Sequence, residues 1–127
     1  MRNTFRTYER LKREQHIDTL FRTGKAFSVL QVRFVYHLVP RGAEVSPVRA
    51  GFSVPKKKFR KSVQRHRLRR LLVEAWRLNK QDVYNAVPEG QQMHLFILYT
   101  SPEMQDYPTV AAAVERGIVQ LKAILTK

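Results

Sequence analysis

The sequence predicts an α+β fold, a two-layer sandwich of helices on one sheet, in the order α-β-β(-β)-α-β-α. Three observations carry this. Apolar residues repeat at helical spacing through residues 62–80 and 109–125, and runs rich in β-branched and aromatic residues stand at 29–39, 49–54 and 93–100. The chain has 127 residues, 43% of them hydrophobic, enough for one core and little for a second. Residues 1–127 therefore read as a single domain, with no repeat, low-complexity tract or linker.

Residues 10–22 read as a short helix: Ile17, Leu20 and Phe21 share one face, and Gly24 follows at its end. In residues 29–39 strict polar alternation is lost, as in a strand covered on much of both faces, and residues 23–32 have room for an additional short strand. Residues 40–47 carry turn signals, and residues 49–54 return as a strand ended by Pro55, so the two runs are expected to pair as an antiparallel hairpin. A long helix follows over 62–80, with Leu68, Leu71, Leu72, Ala75 and Trp76 as its buried stripe. His66, Arg70 and Arg77 lie opposite that stripe, Arg65 and Arg69 flank it on one side, and Arg67 on the other. Residues 87–90 break the chain, residues 93–100 form the most apolar strand and the expected centre of the sheet, and residues 109–125 close with a helix buried through Val110, Ala113, Val114, Ile118, Leu121, Ile124 and Leu125.

Charge narrows the function. Lys and Arg total 24 against 10 acids, a net of +14, and residues 56–70 alone hold nine bases and no acid, while residues 71–127 are nearly balanced. A compact chain this basic repels itself, and a polyanion relieves that repulsion. The bases open a helix, where like charges four apart and the positive end of the helix dipole are both unfavourable until an anion arrives. Lys56, Lys57, Lys58, Arg60, Lys61, Arg65, His66, Arg67, Arg69 and Arg70 are thus candidate nucleic-acid contacts. Phe21, Phe27, Phe34, Tyr36, Phe52 and Tyr99 form a second group. Most strand aromatics are core, but some could line a groove and stack on unpaired bases; Trp76, on the apolar stripe, reads as core.

Other chemistries find little support. There is no Cys, which removes disulfides, thiolate nucleophiles and Cys-ligated zinc, and fits a reducing cytoplasm. The four His, at 16, 37, 66 and 94, form no metal-binding spacing, carboxylates form no suggestive pair, and no phosphate-loop glycine pattern is present, so no catalytic or metal-binding residue is expected. No helix-turn-helix or zinc pattern points to DNA. No run approaches the roughly 20 apolar residues of a membrane span, and residues 1–6 lack the apolar stretch of a signal peptide.

Three blocks resemble the bacterial ribonuclease P protein family. Residues 65–75, Arg-His-Arg-Leu-Arg-Arg-Leu-Leu-Val-Glu-Ala, resemble its signature helix; upstream, residues 49–57, Arg-Ala-Gly-Phe-Ser-Val-Pro-Lys-Lys, look like the strand motif that precedes that helix; and residues 10–13 with Ile17, Leu20, Phe21, Gly24 and Lys25 follow its first helix. Order and spacing agree over residues 10–80. His66 stands where the family usually has Asn, Val73 where many relatives have Arg, and Ile17 where relatives often have Phe.

The resemblance implies a protein subunit that is not itself the catalyst. A catalytic RNA would cleave precursor tRNA at its 5′ end, with Mg²⁺ held mainly by that RNA and no organic cofactor. The protein, a monomer without DNA or membrane partners, would touch the catalytic RNA through residues 65–70 and the adjoining loop. It would take the single-stranded 5′ leader in a cleft between the first helix and the sheet, for which Ile17, Phe21, Phe34, Tyr36 and Arg69 are the candidates, with His37 the alternative to Tyr36. A left-handed βαβ crossover is also implied. The alternative is a ribosomal or other structural RNA-binding protein without a processing role.

Overall fold

The computed structural model describes residues 5–126; residues 1–4, part of the stretch read above for a signal peptide, lie outside them. A 3-10 turn (Thr7–Glu9) leads to α1 (Glu14–Thr23), β1 (Lys25–Val29), β2 (Val32–Pro40), β3 (Val48–Ser53), α2 (Ser62–Asn79), α3 (Gln81–Ala86), β4 (Gln91–Tyr99) and α4 (Tyr107–Leu125). The four strands form one sheet in the order β1-β2-β4-β3. β1–β2 and β2–β4 are antiparallel and β3–β4 is parallel.

The expected hairpin between residues 29–39 and 49–54 does not form, because β4 lies between those strands. The cause is the apolar content of β4: Met93, Leu95, Ile97 and Tyr99 are wholly buried on one face, and Phe96 and Leu98 pack on the other. A strand apolar on both faces is most stable with both edges paired. Residues 41–47 carry the chain past it, a gap of two strand spacings, about 10 Å. The hairpin partner of β2 is instead β1, across the turn Leu30-Gln31, where Leu30 takes φ 51°.

Strand parity sorts the side chains into two layers. Val32, Phe34, Val48, Ala50, Phe52, Met93, Leu95, Ile97 and Tyr99 meet Leu68, Leu72, Ala75 and Trp76 of α2 and Val110, Ala113, Val114, Ile118 and Leu121 of α4. Val35 packs with Leu11 and Leu20, against Ile17, Phe96 and Leu98, under α1. The α2 stripe is as expected apart from Leu71, which is half-buried; on α4 the expected burial stops at Leu121, with Ile124 and Leu125 half-exposed. Gly117 is the mid-helix exception in α4 that packing explains, since a Cβ there would meet the Phe34 ring at 2.3 Å. Asp106 caps α4 by accepting from the Thr109 N–H at 3.0 Å.

The β3–α2–α3–β4 connection is left-handed. Met93 donates its backbone N–H to the Pro47 carbonyl at 2.8 Å, toward β3, while its side chain is buried in the α2 layer. For an L-residue on an upward strand with its side chain toward the viewer, the N–H points right. Seen from the helices, β3 therefore lies to the right of β4 and the chain steps leftward, the hand that about 98% of such crossovers avoid.

The first helix starts at Glu14, four residues later than the periodicity suggests. Leu11 donates its N–H to Ala50 O at 3.0 Å and its side chain is buried, so the residues before α1 lie along the outer edge of β3. That contact covers an edge that would otherwise be open.

A candidate nucleic-acid interface

The basic segment is organised by two residues that do not face solvent freely. Phe59 is buried against Tyr99, ring centroids 5.8 Å apart, and pins the loop before α2. Arg65 turns back onto that loop and donates to Phe59 O at 2.8 Å and Arg60 O at 2.9 Å. Lys58 Nζ is likewise bonded to Thr100 O. Arg65 and Lys58 thus shape the loop, while Lys56, Lys57, Arg60, Lys61, His66, Arg67, Arg69 and Arg70 are exposed.

A groove of about 590 Å³ opens between α2 and the chain entering α1. His66, Arg69 and Arg70 form the α2 wall, Arg10 and Lys12 face them, and Leu11, Ile17, Phe52 and Phe96 supply apolar surface. Gly51 sets the floor: a Cβ would fall 2.4 Å from the Phe96 ring, so only glycine lets that ring lie across the β3 backbone. A shallower hollow beside Ser53, Val54 and Arg65 shares Phe52, His66 and Arg69 with the groove. Phe21, 46% exposed, meets Phe96 edge-on at 5.3 Å and extends the apolar floor along α1. An apolar floor between cationic walls suits a single strand, whose bases stack below while its phosphates meet the rim.

The wall before α1 is moored by a buried ion pair. Glu9 and Lys80 are 4% and 5% exposed and bonded to each other, and Tyr84 Oη donates to Glu9 Oε1 at 2.7 Å. Burial alone would raise the Glu9 pKa, but the bonds from Lys80, Tyr84 and the Arg6 N–H prevail and hold it below the ordinary carboxylate value. Burial, then the Glu9 carboxylate, pushes the Tyr84 phenol far up, so it stays a donor.

Among the expected leader-cleft residues, Ile17 and Arg69 line the groove and Phe21 adjoins it. Phe34 and Tyr36 do not. Phe34 is wholly buried against Gly117 and Phe27, and Tyr36 packs with it in the helix layer, because even positions of β2 face α2 and α4. Val35 and His37, at odd positions of β2, lie on the α1 side of the sheet. Phe96, Gly51, Leu11 and Lys12 were missed. Phe96 sits in a run without alternation, so no pattern marked its face; Leu11 and Lys12 were read as helix.

Fold and groove together define a basic, mixed-sheet α+β protein with an apolar-floored groove between cationic walls. The profile of the Ribonuclease P family matches residues 5–122. The ribonuclease P protein component of Porphyromonas gingivalis is 38% identical over 117 residues, spanning 89% of this chain and 82% of that one. That of Chlorobium phaeobacteroides is 35% identical over 91 residues, 70% of this chain and 62% of the relative. The solved RNase P protein of Staphylococcus aureus superposes with TM-score 0.70 at 16% identity, covering 94% of this chain and 98% of that one. The Thermotoga maritima protein superposes with TM-score 0.67 at 21% identity, covering 88% and 96%. The chain belongs to the ribonuclease P family, as a protein component of that ribozyme acting in tRNA 5′ maturation. Membership implies the RNase P RNA as its partner. No described helix is long and apolar enough to cross a membrane.

Proposed function

We propose that the exposed bases of residues 56–70 bind the catalytic RNA and that the groove beside them receives the 5′ leader of precursor tRNA. The observation that carries this is the arrangement of one apolar floor, Ile17, Phe52 and Phe96, between the cations Arg10, Lys12, His66, Arg69 and Arg70. In this reading Arg67, absent from the groove lining, serves the catalytic RNA, while Arg69 faces the leader. Arg70, on the groove rim, is placed for either. One cationic protein between two polyanions lowers their repulsion and raises substrate affinity at a given Mg²⁺ concentration. Among the described residues no three His, Cys, Asp or Glu gather to hold a metal. In this reading Mg²⁺ is held mainly by the RNA, and the protein, a single cytoplasmic domain acting as a monomer, contributes binding.

The test is precursor-tRNA cleavage at low Mg²⁺ by catalytic RNA alone, protein alone and both together. Activity confined to the mixture, and reduced by Arg67→Ala with Arg70→Ala, is expected. Cleavage by the protein alone, surviving ribonuclease treatment of the preparation, would overturn the proposal.

A further inference from the structure

We infer that Glu9 and Lys80 are positioning residues for the leader: their pair ties the two cationic walls of the groove together and so places Phe5 and Arg10 against the bound strand. The inference rests on the leader reading above and deepens it, since neither residue is among those lining the groove.

The two walls differ in how they are held. His66, Arg69 and Arg70 stand on α2, which runs unbroken from Ser62 to Asn79. The facing wall, residues 5–12, has a 3-10 turn of three residues and an isolated bridge from Arg10 to Ala50. So short a turn does not fix its own place, and the wall lies where its tethers put it. At one tether Leu11 donates its N–H to Ala50 O at 3.0 Å and Arg49 donates to Arg10 O at 3.2 Å, which joins the wall to β3. At the other, the Glu9 carboxylate accepts from Lys80 Nζ, from Tyr84 Oη at 2.7 Å and from the Arg6 N–H of its own turn at 2.5 Å. Lys80 directly follows α2, and Val83 and Tyr84 both donate their N–H to its carbonyl at 3.0 Å, so this tether is the corner between α2 and α3. The pair therefore joins one wall to the helix that carries the other.

Phe5 carries the tether into the groove. Its ring meets Phe52 edge-on at 5.7 Å, Lys80 Nζ lies 5.9 Å from its centroid, and the Arg10 guanidinium sits over it at 4.9 Å. Phe5 and Arg10 both line the groove. Without the Glu9 carboxylate, the chain before Leu11 keeps its attachment to β3 as a hinge and loses its attachment to α2. The charges then act on it: Arg10 and Lys12 face Arg69 and Arg70, so the walls of an empty groove repel each other. A buried ion pair adds little net stability over apolar side chains of the same volume. Apolar contact is also non-directional, whereas the bonded carboxylate fixes where the wall stands relative to α2.

The test is a double-mutant cycle in the reconstituted ribonucleoprotein, below the melting midpoint of every variant, reading the binding of precursor tRNA and of mature tRNA without a leader. Arg10→Ala should weaken precursor binding about fourfold at about 0.15 M salt, the contribution of one single-strand phosphate contact. Glu9→Gln should weaken it by a similar factor, reduce its salt slope by about 0.7, and leave the binding of mature tRNA and of the catalytic RNA unchanged. Because Glu9→Gln has already displaced Arg10, the double variant should stay near a loss of about fourfold, well short of the roughly sixteenfold of independent effects. A merely stabilising role would not produce that coupling. Tyr84→Phe removes one bond to Glu9 and leaves both charges paired; taken through the same cycle, it should couple to Arg10→Ala in the same sense even if Glu9→Gln does not fold. Additive effects, an Arg10→Ala variant that binds like the wild type, or a loss shared by mature tRNA would overturn the inference and leave the leader reading standing. Wild-type protein that favours precursor no more than mature tRNA would overturn both.

Discussion

Breaking the Glu9–Lys80 pair should cost this protein a large part of its stability. Both side chains are almost wholly enclosed, with the Tyr84 hydroxyl completing the cluster. Glu9→Gln keeps the shape but leaves the Lys80 ammonium buried beside a neutral amide, a change that typically costs about 3–5 kcal/mol. With unfolding entropy near 2.1 cal/mol/K per residue, 127 residues carry about 0.27 kcal/mol/K, so the midpoint should fall by about 11–19 °C. Circular dichroism melts of Glu9→Gln, Lys80→Met and the double variant measure this directly. The double variant should lose less than the two singles together, since removing both charges leaves none stranded. The pH dependence has a definite sign. The folded Glu9 pKa lies below the ordinary 4.5, so its contribution is complete above that value and is lost as pH falls through the folded pKa. Glu9→Gln should flatten that part of the acid limb. A midpoint shift under about 3 °C, or strict additivity of the singles, would refute the assignment of the pair as a mooring.

Binding to the catalytic RNA should weaken with salt: for about six phosphates, log affinity against log salt should have a slope of about −4 to −5, and a flat response would remove the electrostatic basis of the interface. Phe34→Ala and Phe96→Ala separate core from groove. The first should destabilise the fold by about 3–5 kcal/mol in denaturant titrations without a leader-specific defect. The second should weaken leader binding by about 1–3 kcal/mol in fluorescence titrations of folded protein, and the opposite pattern would reverse the assignment of faces. Arg67→Ala should cost one phosphate contact, about 0.7–0.8 in salt slope. Arg65→Ala, which frees the carbonyls of Phe59 and Arg60, should lower hydrogen-exchange protection across residues 56–60 and cost more than one contact; equal effects would deny Arg65 its role in the loop.

The long helices and the central strand were legible because their signals are local. The α2 stripe of Leu68, Leu72, Ala75 and Trp76 and the apolar run of β4 follow from spacing alone. Strand pairing was not, since the pairing of β3 with β4 depends on chain some forty residues away. The candidate site divides in the same way. Arg69 and Ile17, read from motif-like blocks, line the groove, whereas Phe34 and Tyr36 lie in the helix layer; a strand buried on both faces gives no alternation from which to read its parity. Phe96 became visible only with Gly51 beneath it, a contact between two strands. Family resemblance supplied the left-handed crossover, which general chirality rules argue against.

The place of β4 between β2 and β3 also orders events during synthesis. Until residues 91–99 leave the ribosome, β3 lacks the strand it pairs with and β2 has only β1. The nine bases of residues 56–70 are by then already outside, so the growing chain can attract RNA before it has the Phe96 floor to sort it. Encounter through charge precedes selection by shape, and long-range pairing of this kind is slow to form. A chain that ends short of residue 91 carries the nine bases but lacks the Phe96 floor.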